Sequence, residues 1–413
     1  MIGGLVVLAI GFIVLAVVAG SGAPEESSGP SSPGPAPVQA AAAPAAAGGE
    51  AGSPAAQTSE QLGYPAFATD NTTRVGGSTP AENAAAVALA IFPSTTSKQR
   101  PAAVALVDEE DWPAAIAAAV LMAAPVRAPI LFSGPDGAPQ ATEEALAALD
   151  PQGSPATSGA RGFAFGAAAV PEGAGGIETI RATGARAGEG EEPAATAAAI
   201  AELRDRLVGS PPQAIVLAPL ANPGFAAPAA AWAARSGDPV LFAKKTALPK
   251  PTVAALERHA KVPVYVLGPS SAIADPVLGE VKKLGNPVRR VAGSSPVANA
   301  LAFARFGDGS FGWDVNDPGH GFVLARDDSP LDAAAAAPLS AAGTWGPLLL
   351  TDSADTLPPE VRSYFLDVKP GYTTNPTRAY YNHVWVIGDQ EAIDVKQQAE
   401  VNELAELAKI GAE

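Results

Sequence analysis

Three arginines at matching places, Arg74, Arg181 and Arg290, are the residues whose type and spacing point most directly to chemistry. They lie 107 and 109 residues apart, and each stands three positions before a glycine: Gly77, Gly184 and Gly293. A guanidinium is a planar fork of donors that fits a carboxylate or a phosphate bidentately. A recurring arginine therefore serves either the binding of anionic groups or a repeated ion pair between structural units. Residue type alone leaves both open.

Other constellations point away from catalysis. Gly307-Asp308-Gly309-Ser310-Phe311-Gly312 matches GxGxxG, but it follows a predicted helix, whereas the dinucleotide fingerprint needs a strand before it and a helix after it. Asp314, Asn316 and Asp317 lack the spacing of a twelve-residue calcium loop and read as turn residues at a loop tip. No GxxxxGK[ST], HExxH or GxSxG string is present, and His259, His320 and His383 read as satisfied surface or loop histidines. The carboxylates Asp108, Glu109, Glu110 and Asp111 read as a solvated acidic loop, since acid/base work needs a raised pKa in an enclosed site. The chain has no cysteine, which excludes disulfides and thiol chemistry. The expectation is a protein that is not an enzyme, with no cofactor and no metal.

Charge narrows the partners. The chain carries 26 Lys and Arg against 42 Asp and Glu, a net charge of -16. That balance argues against nucleic acid and gives an anionic polymer no long-range attraction, so any such contact must be made locally.

The elements that position the arginines repeat with them. Pro129-Ile130-Leu131-Phe132, Pro239-Val240-Leu241-Phe242 and Pro347-Leu348-Leu349-Leu350 begin 110 and 108 residues apart. Proline suits the first residue of a strand, and three continuous apolar positions fit a parallel strand covered on both faces. Around each copy, short apolar runs alternate with helical patterns. The opening strands begin at Thr73, Thr179 and Val288, and the closing strands end at Gly166, Gly268 and Gly388. The fold class predicted is α/β, with three tandem βαβαβαβ parallel-sheet units over residues 67–175, 176–286 and 287–413. Ligands of parallel sheets collect beyond the carboxyl ends of strands, here near Ser133, Ala243 and Thr351. The third unit carries a glycine-rich insertion from Gly307 to Gly319, a candidate functional loop. It ends in an amphipathic pattern from Asp394 to Ile410, read as a C-terminal helix.

Residues 1–20 are an uncharged apolar stretch, read as a transmembrane anchor with a cleaved signal peptide as the alternative. Residues 21–66, rich in Ala, Pro, Gly and Ser, cannot bury enough surface to fold and read as a spacer. Together they place the repeats outside the membrane, on a cell surface.

With its repeats laid out, the chain resembles the cell-wall-binding repeat 2 family. The resemblance rests on Arg74/Gly77, Arg181/Gly184 and Arg290/Gly293, on the three proline-led strands, and on the closing Phe165-Gly166, Val266-Leu267-Gly268 and Val386-Ile387-Gly388. It departs at the second helix, where the family's Asp survives only as Asp332. The resemblance implies three units packed around a pseudo-threefold axis in a bacterial surface protein. It implies attachment to anionic cell-wall polysaccharide through Arg74, Arg181 and Arg290 and through Ile130, Leu131, Phe132, Val240, Leu241, Phe242, Leu348, Leu349 and Leu350. The expected function is non-enzymatic binding of wall polymer. The alternatives are an extracytoplasmic protein that binds a small ligand in an inter-domain cleft and, behind it, a polysaccharide-processing enzyme.

Overall fold

Local sequence fixes most element starts. The computed structural model describes residues 67–181, 192–343 and 345–411. The apolar stretch and the spacer over residues 1–66, and Gly184, lie outside them. Among the described residues no helix is long and apolar enough to cross a membrane. The first segment runs β1 (Phe67–Ala68), β2 (Thr72–Val75), α1 (Pro80–Ile91), β3 (Val104–Asp108), α2 (Trp112–Ala118), β4 (Ile130–Ser133), α3 (Gln140–Leu149) and β5 (Gly162–Phe165). The second runs β6 (Ile177–Ile180), α4 (Glu192–Val208), β7 (Ile215–Pro219), α5 (Pro223–Ala226), α6 (Pro228–Ser236), β8 (Val240–Ala243), α7 (Lys250–Arg258), β9 (Val264–Leu267) and α8 (Asp275–Lys283). The third runs β10 (Val288–Val291), α9 (Pro296–Arg305), β11 (Gly321–Arg326), α10 (Pro330–Ala342), β12 (Leu348–Thr351), α11 (Pro359–Asp367), β13 (Gly371–Tyr372), β14 (His383–Ile387), α12 (Val395–Ala405) and β15 (Ala408–Lys409). Thr79 and Glu82 form a capping box on α1, and Ser295 and Asp394 cap α9 and α12.

The described residues form three four-stranded parallel sheets, ordered β4-β3-β5-β6, β8-β7-β9-β10 and β12-β11-β14-β2, with β1 added antiparallel at the edge of the third, and a two-stranded parallel sheet of β13 and β15. The opening strand of each segment does not join the sheet of its own segment. β6 pairs with β5, β10 with β9, and β2, from the start of the described chain, pairs with β14 near its end. Each closing strand would otherwise leave an open sheet edge, a row of unpaired amides and carbonyls. The next segment covers it, and β2 closes the cycle.

The Ala-rich second helices explain why the three sheets form one core. α2, α6 and α10 contact one another pairwise, and their alanines, such as Ala115, Ala230 and Ala334, are fully buried. Alanine keeps helix propensity high and lets helix axes approach closely. Each first helix then spans neighbours: α1 packs on α10 and on α3 and β4, while α4 packs on α2 and on α7 and β8. One apolar cluster runs from Val75 to Ala405 through all three sheets.

Two expectations differ from the fold. The C-terminal amphipathic pattern is helical only to Ala405; the chain then extends, Ala408 N–H donating to Pro370 O at 3.0 Å and Ile410 N–H to Tyr372 O at 2.8 Å as β15 pairs with β13. Strand pairing there overrides the helical pattern. The opening strand expected from Thr179 sits two residues earlier, over Ile177–Ile180.

Candidate functional site

Arg74 lies on β2, where its neighbour is Val386 of β14. It is 2% exposed. Its Nε donates to Gln398 Oε1 at 3.0 Å, Nη1 to the carbonyls of Gly388 at 2.9 Å and Asp389 at 2.5 Å, and Nη2 to that of Ile393 at 2.5 Å. Burial pushes its pKa down, opposed by the charges of Asp389 and Asp394. The guanidinium is thus used up inside the protein, tying the turn between β14 and α12 to the strand that closes the cycle.

Arg290 repeats this geometry. It faces Val266 of β9 and donates through Nη1 to Gly268 O and through Nη2 to Ile273 O, both at 2.7 Å. Gly268 and Ile273 stand before α8 as Gly388 and Ile393 stand before α12. Arg290 is half-buried, and its Nη2 also pairs with the exposed Asp275 at 2.9 Å.

Arg181 departs from both. The register opposes Ala164 to Thr179, so Thr179 occupies the place that Arg74 and Arg290 hold, and Arg181 lies exposed just past the end of β6. The reason is visible in the crossover. Between β5 and β6 no helix intervenes, whereas α8 follows β9 and α12 follows β14, so there is no helix-entry turn for an arginine to hold.

The proline-led strands also turn inward. Ile130, Leu131, Phe132, Val240, Leu241, Phe242, Leu348, Leu349 and Leu350 are buried in the cores of β4, β8 and β12. Burial removes these side chains, and that of Arg74, from direct contact with a polymer. Thr142 and Thr252 donate to the carbonyls of Phe132 at 2.5 Å and Phe242 at 2.7 Å, ten residues back in each case, fixing α3 and α7 to their strands.

Sequence reasoning passed over Asn83 and Asn299. Asn83 Oδ1 accepts from Gly77 N–H at 2.7 Å and its Nδ2 donates to Asp332 Oδ1 at 2.8 Å. Asn299 Oδ1 accepts from Gly293 N–H at 3.1 Å. The signal was available as R-x-x-G-x5-N at Arg74 and Arg290; after Arg181 the corresponding position is Gly190. Asp332 is buried, which raises its pKa against the hydrogen bond from Asn83.

Each histidine ring lies against a protein group. His259 is buried rather than at the surface, with Nδ1 2.9 Å from Ala255 O and Nε2 2.7 Å from Asp205 Oδ2. His320 lies 3.0 Å from Asp317, and His383 3.1 Å from Thr73 Oγ1. The GxGxxG segment is a turn closed by paired hydrogen bonds between Asp308 and Phe311, with Phe311 buried. Among the described residues no group of three His, Asp or Glu is placed to hold a metal ion.

Ser133, Ala243 and Thr351 stand at the carboxyl ends of β4, β8 and β12 and are buried. Beyond the ends of β3, β7 and β8 lies a cleft of about 480 Å³, lined by Asp108, Asp111, Trp112, Leu220, Lys244 and Lys245 among others. Asp111 caps α2, accepting from Ala114 N–H at 3.0 Å, and burial raises its pKa. Asp108 accepts from Glu110 N–H at 3.0 Å. Lys244 is half-buried and Lys245 exposed, and neither makes an ion pair among the described residues. At the corresponding end of β11, by contrast, Arg326 is forked onto Asp328 at 2.9 and 3.2 Å. Two lysines without an ion pair therefore share this cleft with the carboxylates of Asp108, Glu110 and Asp111.

The fold is shared with cell wall proteins. Cwp6 from Clostridium difficile is similar with a TM-score of 0.63 at 19% identity, over 81% of this chain and 48% of that one. Cwp8 from the same organism is similar with a TM-score of 0.60 at 17% identity, over 82% of this chain and 52% of that one. The chain spans about half the length of these proteins. At such identities the likeness is one of fold. No protein-family model matches the chain, and no curated protein matches it.

Proposed function

We propose that the three-sheet body is the wall-binding part of a non-enzymatic cell-surface protein, and that it holds an anionic wall polysaccharide at the carboxyl ends of its first two sheets. The observation that carries this reading is the closed cycle of three parallel sheets, a fold shared over four-fifths of the chain with two cell wall proteins. Lys244, Lys245 and Arg181 have no ion pair among the described residues and would meet the polymer, each lying just past the carboxyl end of a parallel strand. Arg74 and Arg290 serve the architecture that presents them. The apolar stretch over residues 1–20 is retained as the proposed anchor.

Co-sedimentation of the chain with purified wall fragments, intact or stripped of their anionic polymer, tests this. Retention on intact fragments and its loss on stripped ones is expected, with binding weakened by salt as ionic contacts are. Equal retention on both, or none on either, contradicts it. Binding of small anions without wall retention would instead support the small-ligand reading.

A further inference from the structure

The aromatic side chains of this chain are few and unevenly spent. Only 6% of residues are Phe, Trp or Tyr, and five are Trp, yet Trp232, Trp313 and Trp345 line one pocket of about 450 Å³. That volume falls in the range of roughly 300–1,000 Å³ typical of small-molecule sites. The pocket opens at the amino-terminal ends of β8, β11 and β12, opposite to the lysine cleft, and one wall is the glycine-rich insertion of the third segment.

Its parts are held firmly. Trp232 on α6 donates through Nε1 to Asp238 Oδ2 at 3.0 Å, and Asp238, 4% exposed, also accepts from Ala214 N–H at 3.0 Å. Trp313 meets Trp232 edge to face, with centroids 5.3 Å apart, and Phe311 supports Trp232 at 4.9 Å. Trp345 is different: it is 56% exposed and its backbone sits at φ +61°, a region a bulky residue adopts only at a cost. The guanidinium of Arg235 lies 4.9 Å from the centre of its ring. An exposed indole braced on one face by a cation presents its other face as a flat apolar platform.

Charge selects what fits. Arg235 repels a further cation, so a quaternary ammonium group is disfavoured although the pocket is aromatic. Asp238, buried in the wall, raises the cost of an anion. A neutral ring that is apolar on one face and rich in hydroxyls at its edge meets both conditions, and the pocket supplies Gln213, Ser310 and His320 as hydrogen-bonding groups around the indoles. We propose that this pocket binds a neutral pyranose unit of a glycan, stacked on the free face of Trp345. The site is separate from the lysine cleft and does not rest on the anionic-polymer reading.

Tryptophan fluorescence titration of the full chain with cellotriose, maltotriose and the N-acetylglucosamine trimer, with choline as the cationic probe, tests the proposal. At least one neutral trisaccharide is expected to bind with a Kd at or below about 1 mM. Trp345→Ala should weaken that binding about tenfold or more, as loss of a stacking platform does, with the melting temperature unchanged because the ring is exposed. Replacement of Lys244 and Lys245 by Ala should leave sugar binding intact while wall retention falls. Binding by choline alone, no binding by any of the three sugars, or sugar binding unaffected by Trp345→Ala overturns the proposal. Loss of sugar binding in the Lys244/Lys245 variant overturns the separateness of the two sites.

Discussion

Arg74 Nη1 donates to the carbonyl oxygen of Gly388 at 2.9 Å, joining residues 314 positions apart in the chain. The same guanidinium reaches Asp389, Ile393 and Gln398, so one side chain holds the strand that completes the third sheet. Arg290 makes the equivalent bonds with partial exposure, and Arg181 makes none among the described residues. Replacement by Ala should therefore rank in that order. Arg74→Ala should cost roughly 3 kcal/mol or more, since several buried carbonyls lose their donor, and Arg290→Ala about 1–2 kcal/mol. Arg181→Ala should stay within about 0.5 kcal/mol, as exposed substitutions do. Urea unfolding midpoints measure the series; equal effects would refute the division between architectural and free arginines.

Much of the fold was legible in the residues. Continuous apolar runs behind Pro129, Pro239 and Pro347 have few alternatives to a buried strand, and β4, β8 and β12 occupy them. The exchange of opening strands was not legible, because Thr72–Val75 carries no mark of which sheet edge it will cover. Arg181 shows the limit of spacing: it keeps the R-x-x-G pattern, yet the crossover without a helix shifts the strand and leaves Thr179 in register. The apolar residues of the site expectation were read correctly as strands, but their burial follows from cover on both faces, which also keeps them from a polymer. The pocket around Trp345 was invisible because its tryptophans come from three separate places in the chain.

Backbone approach sets a second test. A Cβ on Gly346 would lie 1.6 Å from Gly321 O, so Gly346→Ala must displace β11 or β12 and should destabilise by more than about 3 kcal/mol. Gly279, inside α8, has open space around its Cα. Gly279→Ala should stabilise by about 0.5–1 kcal/mol through helix propensity and lower unfolded-chain entropy. Thermal unfolding of both variants checks the contrast; two losses of similar size would contradict it.

Asp332 gives a pH-dependent outcome. Its folded pKa is raised by burial above the ordinary 3.8, so its ionisation opposes folding: the penalty is absent below the unfolded pKa and grows as pH rises through the folded one. Asp332→Asn keeps an oxygen for Asn83 Nδ2 and loses that penalty, so it should gain on the wild type as pH rises above about 4. Asp332→Ala should instead lose about 1–3 kcal/mol at neutral pH, because the Asn83 amide is left without its acceptor. Chemical unfolding at several pH values distinguishes these, and a pH-independent difference between the Asn variant and the wild type would contradict the assignment.

His383 titrates the other way. Burial holds its folded pKa below the ordinary 6.5, so the unfolded chain takes up the proton first. Its contribution to stability is full above the unfolded pKa and is lost as pH falls from there to the lower folded value. The melting temperature should drop between about pH 7.5 and pH 5.5, and His383→Gln should flatten that drop. An unchanged slope in the variant would assign the effect elsewhere.

Wall retention as a function of salt, for the wild type and for a variant with Lys244 and Lys245 both replaced by Glu, tests the proposed function most directly. Charge reversal at two unpaired cations should weaken retention by about tenfold or more and flatten its salt dependence, with little change in melting temperature. Retention that is equal in both proteins, with the same salt dependence, would contradict an anionic polymer held at the carboxyl ends of the first two sheets.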